Sequence, residues 1–388
     1  MRVAVVVRSL KVGGMERVAI SLAKAFKDAG HESHLIYFKK RRDVFTPEGI
    51  DHIHHWDLEK MLLKTGVGVF AYLAARILNM FLRQSYFIWN GFFTSLLFRY
   101  RLSRIEKDGT PFDLIIIRGQ GTFEFLWYRQ DGRYVQVSEN ILFPDAKMDP
   151  VHRLYARLLY GNKNMACVSA GVLQSYDHIA AQAGFKAKKA VVLTNPIDLE
   201  TIREKSGSYV PEIDGPYIVN VGRISPVKQL GLLVDAFLYM KARYGLPHKL
   251  VLVGKGRDEG PLREKIAAAD MQDQVILAGL QTNPYPWFAH ADLFVLSSKH
   301  EGLGMVLLEA LACGTNLVAT RSPGGVADIM QGDLASLLCD PTPEALGEKI
   351  YEQLTSPDAI DFQKHLKPFL AETIVSRYIE EFAAPAKA

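Results

Sequence analysis

At 388 residues the chain is long enough for two domains of about 100 to 200 residues each, and a content of 48% hydrophobic and 23% charged residues excludes a disordered chain. The net charge of +4 is mild. Cys167, Cys313 and Cys339 lie far apart in apolar surroundings, which excludes a disulfide framework or a Cys-x-x-Cys metal site and predicts a reducing, cytoplasmic setting.

The chain opens directly on the strand-like run "MRVAVVV" with no charged-then-apolar leader pattern, so export is not expected. Gly13 and Gly14 follow that run and precede a helix over Glu16 to Ala29, which carries Ala19, Leu22, Ala23 and Phe26 on one face and stops at Gly30. Such a Gly-Gly loop is either a backbone cradle for phosphate or an ordinary turn. The strand "HLIYF" comes next. His52, His54 and His55 suggest zinc, but without carboxylate partners at ligand spacing they read as surface histidines at a strand end, and no metal site is assigned.

From Met61 to Ile105 the chain has no Asp or Glu but six basic residues, Lys64, Arg76, Arg83, Arg99, Arg101 and Arg104. Its charge-free stretches are shorter than the roughly 20 apolar residues that cross a bilayer. Aromatics run between the cations, among them Phe70, Tyr72, Phe81, Tyr86, Phe87, Trp89, Phe92 and Phe93. Residues 61–105 are therefore expected to lie on an anionic membrane surface. A buried helical pair with snorkelling arginines is the alternative; nucleic acid ranks last and is not expected as a partner.

Apolar runs at "DLIIIRG", "YVQVS", "ACVSA" and "AVVLTNP" extend a first parallel sheet. Lys205 to Pro216, rich in Ser, Gly, Pro and charge, then reads as a linker. A second strand-helix series follows from "YIVNVG" to "SLLC", with helices over about Gly231 to Tyr244, Pro261 to Ala269 and after Gly304. A last helix, around Ala371 to Phe382, is expected to cross back onto the first domain. The domains are thus 1–205, with 371–388 returning to it, and 206–370. Ligands of open α/β sheets bind beyond the carboxyl ends of the strands, so the site is expected in a cleft where two sets of such ends face each other.

Within "HEGLGMVLLEALACG", Glu301 precedes a helix and Glu309 lies inside it. Gly302 and Gly304 let backbone N–H groups approach a ligand, and the helix start favours anionic or oxygen-rich groups. Two carboxylates suit a ligand with two polyol ends; the plainer reading makes both acids solvated surface groups. In "NVGRISPVKQ", Arg223 and Lys228 stand just past a strand end, where two cations can bind a diphosphate and stabilise charge as it leaves.

Together the Glu301-x7-Glu309 spacing, the element from Gly222 to Lys228, "NPID" at Asn195 to Asp198, "VGKG" at Val253 to Gly256 and "SPGGVADI" at Ser322 to Ile329 resemble the retaining glycosyltransferases of family four. The resemblance covers nearly all of the chain, strongly from Tyr217 to Ile329 and sparsely from Phe38 to Phe112. It implies the GT-B fold, two Rossmann-like doubly wound α/β domains facing across a cleft. It also implies a metal-independent, hexosyltransferase-type enzyme that retains configuration, with no cofactor beyond its nucleotide-sugar substrate, of which UDP is the expected nucleotide. By that resemblance Glu309 holds the ribose, Arg223 and Lys228 the diphosphate, Glu301 with the loop Gly302, Leu303, Gly304 and Met305 the donor sugar, and Gly13 and Gly14 approach the phosphates from the other lobe.

The family commonly places a histidine after the strand that here reads "YVQVSEN", and this chain offers Glu139. That carboxylate can steady an oxocarbenium-like centre, attack it as a nucleophile, or be an ordinary loop acid. The expected acceptor is a glycolipid or oligosaccharide at the inner face of the cell membrane, as in lipopolysaccharide or polyprenyl-linked glycan assembly. Two rivals stand beside this reading. One is a non-catalytic sugar-nucleotide binder at the membrane. The other is a dinucleotide-dependent oxidoreductase, for which Gly254 and Gly256 are suggestive but Gly260 falls one place too late.

Overall fold

The computed structural model describes residues 1–10, 13–40, 46–82, 85–107, 109–142 and 148–383. Two compact units emerge, Met1–Pro196 with Ala371–Ala388, and Ile197–Leu370.

The first unit is built on seven parallel strands in the order β3-β2-β1-β4-β5-β6-β7. They are β1 (Arg2–Ser9), β2 (Glu32–Lys39), β3 (His52–His55), β4 (Leu114–Arg118), β5 (Tyr134–Ser138), β6 (Asn164–Cys167) and β7 (Lys189–Val192). Val3 to Val6 and Leu114 to Ile117 are fully buried, as central strands covered on both faces must be, which is why they read as unbroken apolar runs. The helix Gly14–Asp28 turns Val18, Ala19, Leu22, Ala23 and Phe26 into the core. The C-terminal helix Ala371–Phe382 returns to this unit: the rings of Phe26 and Tyr378 lie 6.0 Å apart, and Arg377 Nη2 donates to the Val192 carbonyl at 2.6 Å.

Strand β3 has no apolar run to announce it, since three of its four residues are exposed. It pairs in parallel with β2, setting His52 opposite His34 and His54 opposite Ile36. This register corrects the view that the histidines lack a carboxylate: Glu32 Oε1 lies 2.9 Å from His34 Nε2 and 3.7 Å from His52 Nε2. Burial holds the His34 imidazole below its ordinary range and lowers His54 to about 4.

The basic, aromatic stretch begins in the end of the helix Leu58–Leu63 and continues as the helices Gly66–Phe81 and Tyr86–Lys107; Arg83 lies outside the described residues. Helix Gly66–Phe81 leaves Val67, Phe70, Leu73, Ile77, Met80 and Phe81 exposed, with both Phe rings about 80% open. A groove of about 460 Å³ between the latter two helices is lined by Val67, Phe70, Ala74, Leu78, Trp89 and Phe93, among others. Among the described residues no helix is long and apolar enough to cross a membrane.

The second unit has six parallel strands in the order β10-β9-β8-β11-β12-β13. These are β8 (Tyr217–Val221), β9 (Lys249–Val253), β10 (Val275–Gly279), β11 (Leu293–Leu296), β12 (Leu317–Thr320) and β13 (Leu338–Cys339). Helices Leu230–Tyr244 and Pro343–Thr355 pack together, with Tyr244 and Tyr351 stacked at 3.6 Å. Strand order reverses between β8 and β11, which makes their carboxyl ends the place where an open sheet receives a ligand. The division between units falls after Pro196, ahead of the Ser- and Gly-rich segment expected to be the linker. That segment is fastened to the second unit: Tyr209 Oη donates to the Asn283 carbonyl at 2.6 Å, and Asn283 Nδ2 donates to Lys205 O and Ser208 Oγ.

Candidate functional site

At the carboxyl end of β8 the chain makes a 3-10 turn over Pro226–Lys228 and leaves it through Gln229, held at φ 46°. A non-glycine residue with positive φ is uncommon, and here the turn is over-determined by its neighbours. Lys299 N–H donates to Val227 O at 2.7 Å and Ser297 Oγ to Lys228 O at 2.9 Å, tying the turn to the loop after β11. Lys228 Nζ thereby meets Glu301 Oε1 at 2.6 Å. Both side chains are largely buried, at 19% and 13% exposure, and Ser298 Oγ donates to the same carboxylate oxygen at 2.5 Å. Arg223, one turn earlier on the same connection, is exposed.

Glu301 is fixed by its backbone as well. Its N–H donates to Pro323 O at 3.0 Å, and Gly325 N–H donates to Glu301 O at 3.1 Å. A Cβ on Gly325 would run into Leu303 and the Gly302 carbonyl, so the "SPGG" loop lies flat on the "EGLG" loop only because glycine is there. Gly304, at φ 94°, caps the helix Met305–Ala312. The buried Gly302, Leu303 and Gly304 lead from Glu301 into the partly positive start of that helix. Glu309 is half-buried within the helix; burial first, and its negative charge second, push the Cys313 thiol up to about 12. One loop cluster thus brings together Lys228, Glu301, Gly302, Leu303, Gly304 and Met305.

Gly254 and Gly256 follow β9 and have a packing role. A Cβ on either would collide with backbone, at Gly222 and Ile224 respectively. Gly222 N–H donates to Val253 O at 2.9 Å and Ile224 N–H to Lys255 O at 3.1 Å. The two loops therefore lie backbone to backbone, and the turn bearing Lys228 rests on them.

Gly13, Gly14 and Glu139 belong to the first unit. Gly13 is extended, at φ −176°, and caps the helix Gly14–Asp28. Glu139, one residue past β5, forms an ion pair with the guanidinium of Arg118 at the end of β4, whose side chain is wholly buried. Asn195 of the "NPID" segment completes the set, accepting from Arg118 Nη2 at 2.6 Å and donating to Glu139 Oε2 at 3.1 Å. Tyr378 of the C-terminal helix is fully buried, which pushes its phenol up to about 12; the charges of Arg118 and Glu139 act on it with opposite signs. The one signal of Arg118 in the sequence is a lone cation closing an otherwise apolar strand.

Two α/β units of this topology are those of the GT-B fold, and solved structures share it. HepE of Anabaena in complex with UDP and glucose aligns over 99% of this chain and 96% of that one, with TM-score 0.62 and 19% identity. WaaG, a glycosyltransferase involved in lipopolysaccharide biosynthesis, aligns over 97% and 95% with TM-score 0.58 and 16% identity. At such identities the likeness is one of fold. More particularly, residues 201–368 match the family Glycosyl transferases group 1. Over 153 residues the chain is 33% identical to an N-acetylgalactosaminyltransferase of Campylobacter jejuni that acts on a diphospho-undecaprenol-linked substrate, covering 39% of this chain and 40% of that protein. Over 111 residues it is 35% identical to the lipopolysaccharide core biosynthesis glycosyltransferase LpsE of Rhizobium meliloti, covering 29% and 31%. The matches thus span less than half the length of these relatives.

Proposed function

We propose that this chain is a retaining glycosyltransferase that moves a sugar from a nucleotide-sugar, with UDP as the nucleotide, to a membrane-associated glycolipid or oligosaccharide, without a divalent metal. The observation that carries the proposal is Lys228 against Glu301 at the switch point of the second sheet, 2.6 Å apart on two interlocked loops. A lysine so placed can turn from Glu301 to a diphosphate, neutralise it, and stabilise the charge that develops as the diphosphate leaves. Arg223, exposed on the same connection, supplies the second cation. Glu301, released from Lys228, accepts hydrogen bonds from the sugar hydroxyls, and the N–H groups around Gly302 to Met305 face the same oxygens. Glu309 takes the ribose. Cationic side chains thereby do the work that a bound metal ion does in other phosphate sites.

In the first unit Glu139 acts as a positioning group. A nucleophilic carboxylate needs an oxygen free to attack, whereas both Glu139 oxygens are engaged, by Arg118 and Asn195. The acceptor class is supported by the names of the two relatives, one acting on a diphospho-undecaprenol and one in lipopolysaccharide core assembly. Exposed Phe70, Met80 and Phe81 form an apolar surface of the kind that marks a membrane or partner contact, and exposed Arg76, Arg99 and Arg104 supply cations for anionic headgroups. The test is transfer or slow hydrolysis of UDP-sugars in the presence of chelator, with the anomeric configuration of the product read by NMR. Turnover with retention is expected; inversion, or activity only with an added divalent ion, contradicts the proposal.

A further inference from the structure

The sheet edge of the first unit holds a group of side chains that sugar transfer does not use. Glu32 and His34 on β2 and His52 and His54 on β3 project from one face, because alternate residues of a strand share a side and the two strands pair in parallel with His34 opposite His52. We propose that Glu32, His34 and His52 bind one divalent transition-metal ion of the zinc class, through Glu32 Oε1 and the Nε2 atoms of the two imidazoles.

The geometry fits in three respects. Their ligand atoms all lie within 4.8 Å of one another, with Glu32 Oε1 2.9 Å from His34 Nε2 and 3.7 Å from His52 Nε2. Tetrahedral zinc with bonds of about 2.0 to 2.2 Å sets its ligand atoms about 3.3 to 3.6 Å apart, inside that span. Outer support is in place: His34 Nδ1 is 3.0 Å from His54 Nε2, and Arg2 Nε contacts the second Glu32 oxygen at 2.9 Å. Metal-bound imidazoles and carboxylates are regularly held in this way by a partner on their remaining polar atom. Finally, ring packing fixes the buried ligand while leaving a way in. His34 lies edge-on to Phe112 at 4.7 Å and beside His52 at 4.4 Å, whereas the side chains of Glu32 and His52 are 39% and 50% exposed. The fourth position faces solvent and takes water.

Without metal, His34 Nε2–H donates to Glu32 and Nδ1 accepts from His54. Binding moves the His34 proton to Nδ1, where it is donated to His54 Nε2, and His54 carries its own proton on Nδ1. Both rings stay neutral. The ion clamps β3, a four-residue edge strand that among the described residues pairs only with β2, so it fastens the sheet edge and takes no part in sugar transfer.

The test uses the full chain without a histidine tag, stripped with chelator and titrated with Co²⁺ by visible absorption and with Zn²⁺ by calorimetry. One ion per chain is expected, with a tetrahedral cobalt spectrum and a melting temperature that rises with added ion. His52→Ala and Glu32→Gln alter half-exposed residues; each should bind at least about tenfold more weakly and lose the metal-dependent rise, measured from its own metal-free melting temperature. Should one of them fold poorly, the other carries the comparison. A wild-type chain that takes up no Co²⁺ or Zn²⁺, or either folded variant binding like the wild type, overturns the assignment.

Discussion

Lys228 and Glu301 stand 73 residues apart in sequence and 2.6 Å apart in space. Each neutralises the other, so a diphosphate bound as proposed would compete with Glu301 for the ammonium. Under the proposed roles, Glu301→Gln removes that competition but leaves only an uncharged, weaker acceptor for the sugar hydroxyls. The variant should bind UDP at least as tightly as the wild type and turn over UDP-sugar at least about tenfold more slowly, a loss of about 1.4 kcal/mol in transition-state stabilisation. Parallel calorimetry and initial rates show whether binding and turnover separate in this way.

The loop carrying Lys228 depends on glycine packing. A Cβ at Gly256 meets the Ile224 carbonyl, whereas at Gly231, near the start of the helix Leu230–Tyr244, the nearest atom is the end of the Lys265 side chain at 3.9 Å. Gly256→Ala should lower stability by about 1 to 3 kcal/mol through forced backbone shifts. Gly231→Ala should leave it unchanged or raise it by up to about 1 kcal/mol. Denaturant unfolding of the two alanine variants side by side checks the contrast.

Arg118 and Glu139 form a buried pair in the first unit, with side-chain exposures of 0% and 9%. Removing one charge strands the other. Arg118→Met should destabilise by about 3 to 5 kcal/mol, and adding Glu139→Gln should recover part of the loss. A double-mutant cycle in urea gives the coupling; additive losses would mean that the pair is not coupled.

Lys163 is buried, with Nζ donating to Leu158 O and Leu159 O at 2.7 and 2.8 Å. Burial lowers its ammonium from 10.5 to about 7. Between those values the unfolded chain holds a proton that the folded chain has released, so stability from this group rises as pH goes from about 7 to 10.5 and is at its lowest below 7. The melting temperature of Lys163→Met minus that of the wild type should therefore be more positive at pH 6 than at pH 9. A difference that does not change with pH would show that Lys163 keeps its proton on folding.

Much of this was legible in the sequence because both sheets are parallel and buried. Their central strands are continuous apolar runs, and the glycine-broken loops after β8 and β11 stand at strand ends where ligands collect. What was missed depends on contacts distant in sequence. Strand β3 reads "HIHH" and exposes most of its residues, so only pairing with β2 reveals it, together with the carboxylate of Glu32. Arg118 closes an apolar strand with nothing beside it in the sequence to mark it as buried, and its partners Glu139 and Asn195 lie 21 and 77 residues further on. Lys205 to Pro216 has the composition of a linker, but the bonds of Asn283 with Tyr209, Lys205 and Ser208 hold it to the second unit.

The membrane reading rests on Phe70, Met80 and Phe81, each about four-fifths exposed. Flotation with anionic liposomes should carry the wild type upward, and Phe70→Ser with Phe81→Ser should reduce the floating fraction, as should added salt. Wild-type protein that stays at the bottom of the gradient contradicts this part of the proposal.

In the proposed mechanism, fixed cations of the second unit grip a nucleotide-sugar by its diphosphate while acids hold its hydroxyls. Calorimetric titration of UDP into chelator-treated protein, wild type beside Lys228→Ala and Glu309→Ala, tests it most directly. The wild type should bind without any divalent ion, and each variant should lose at least about tenfold, or about 1.4 kcal/mol. Binding that requires added metal, or that survives unchanged in both variants, contradicts it.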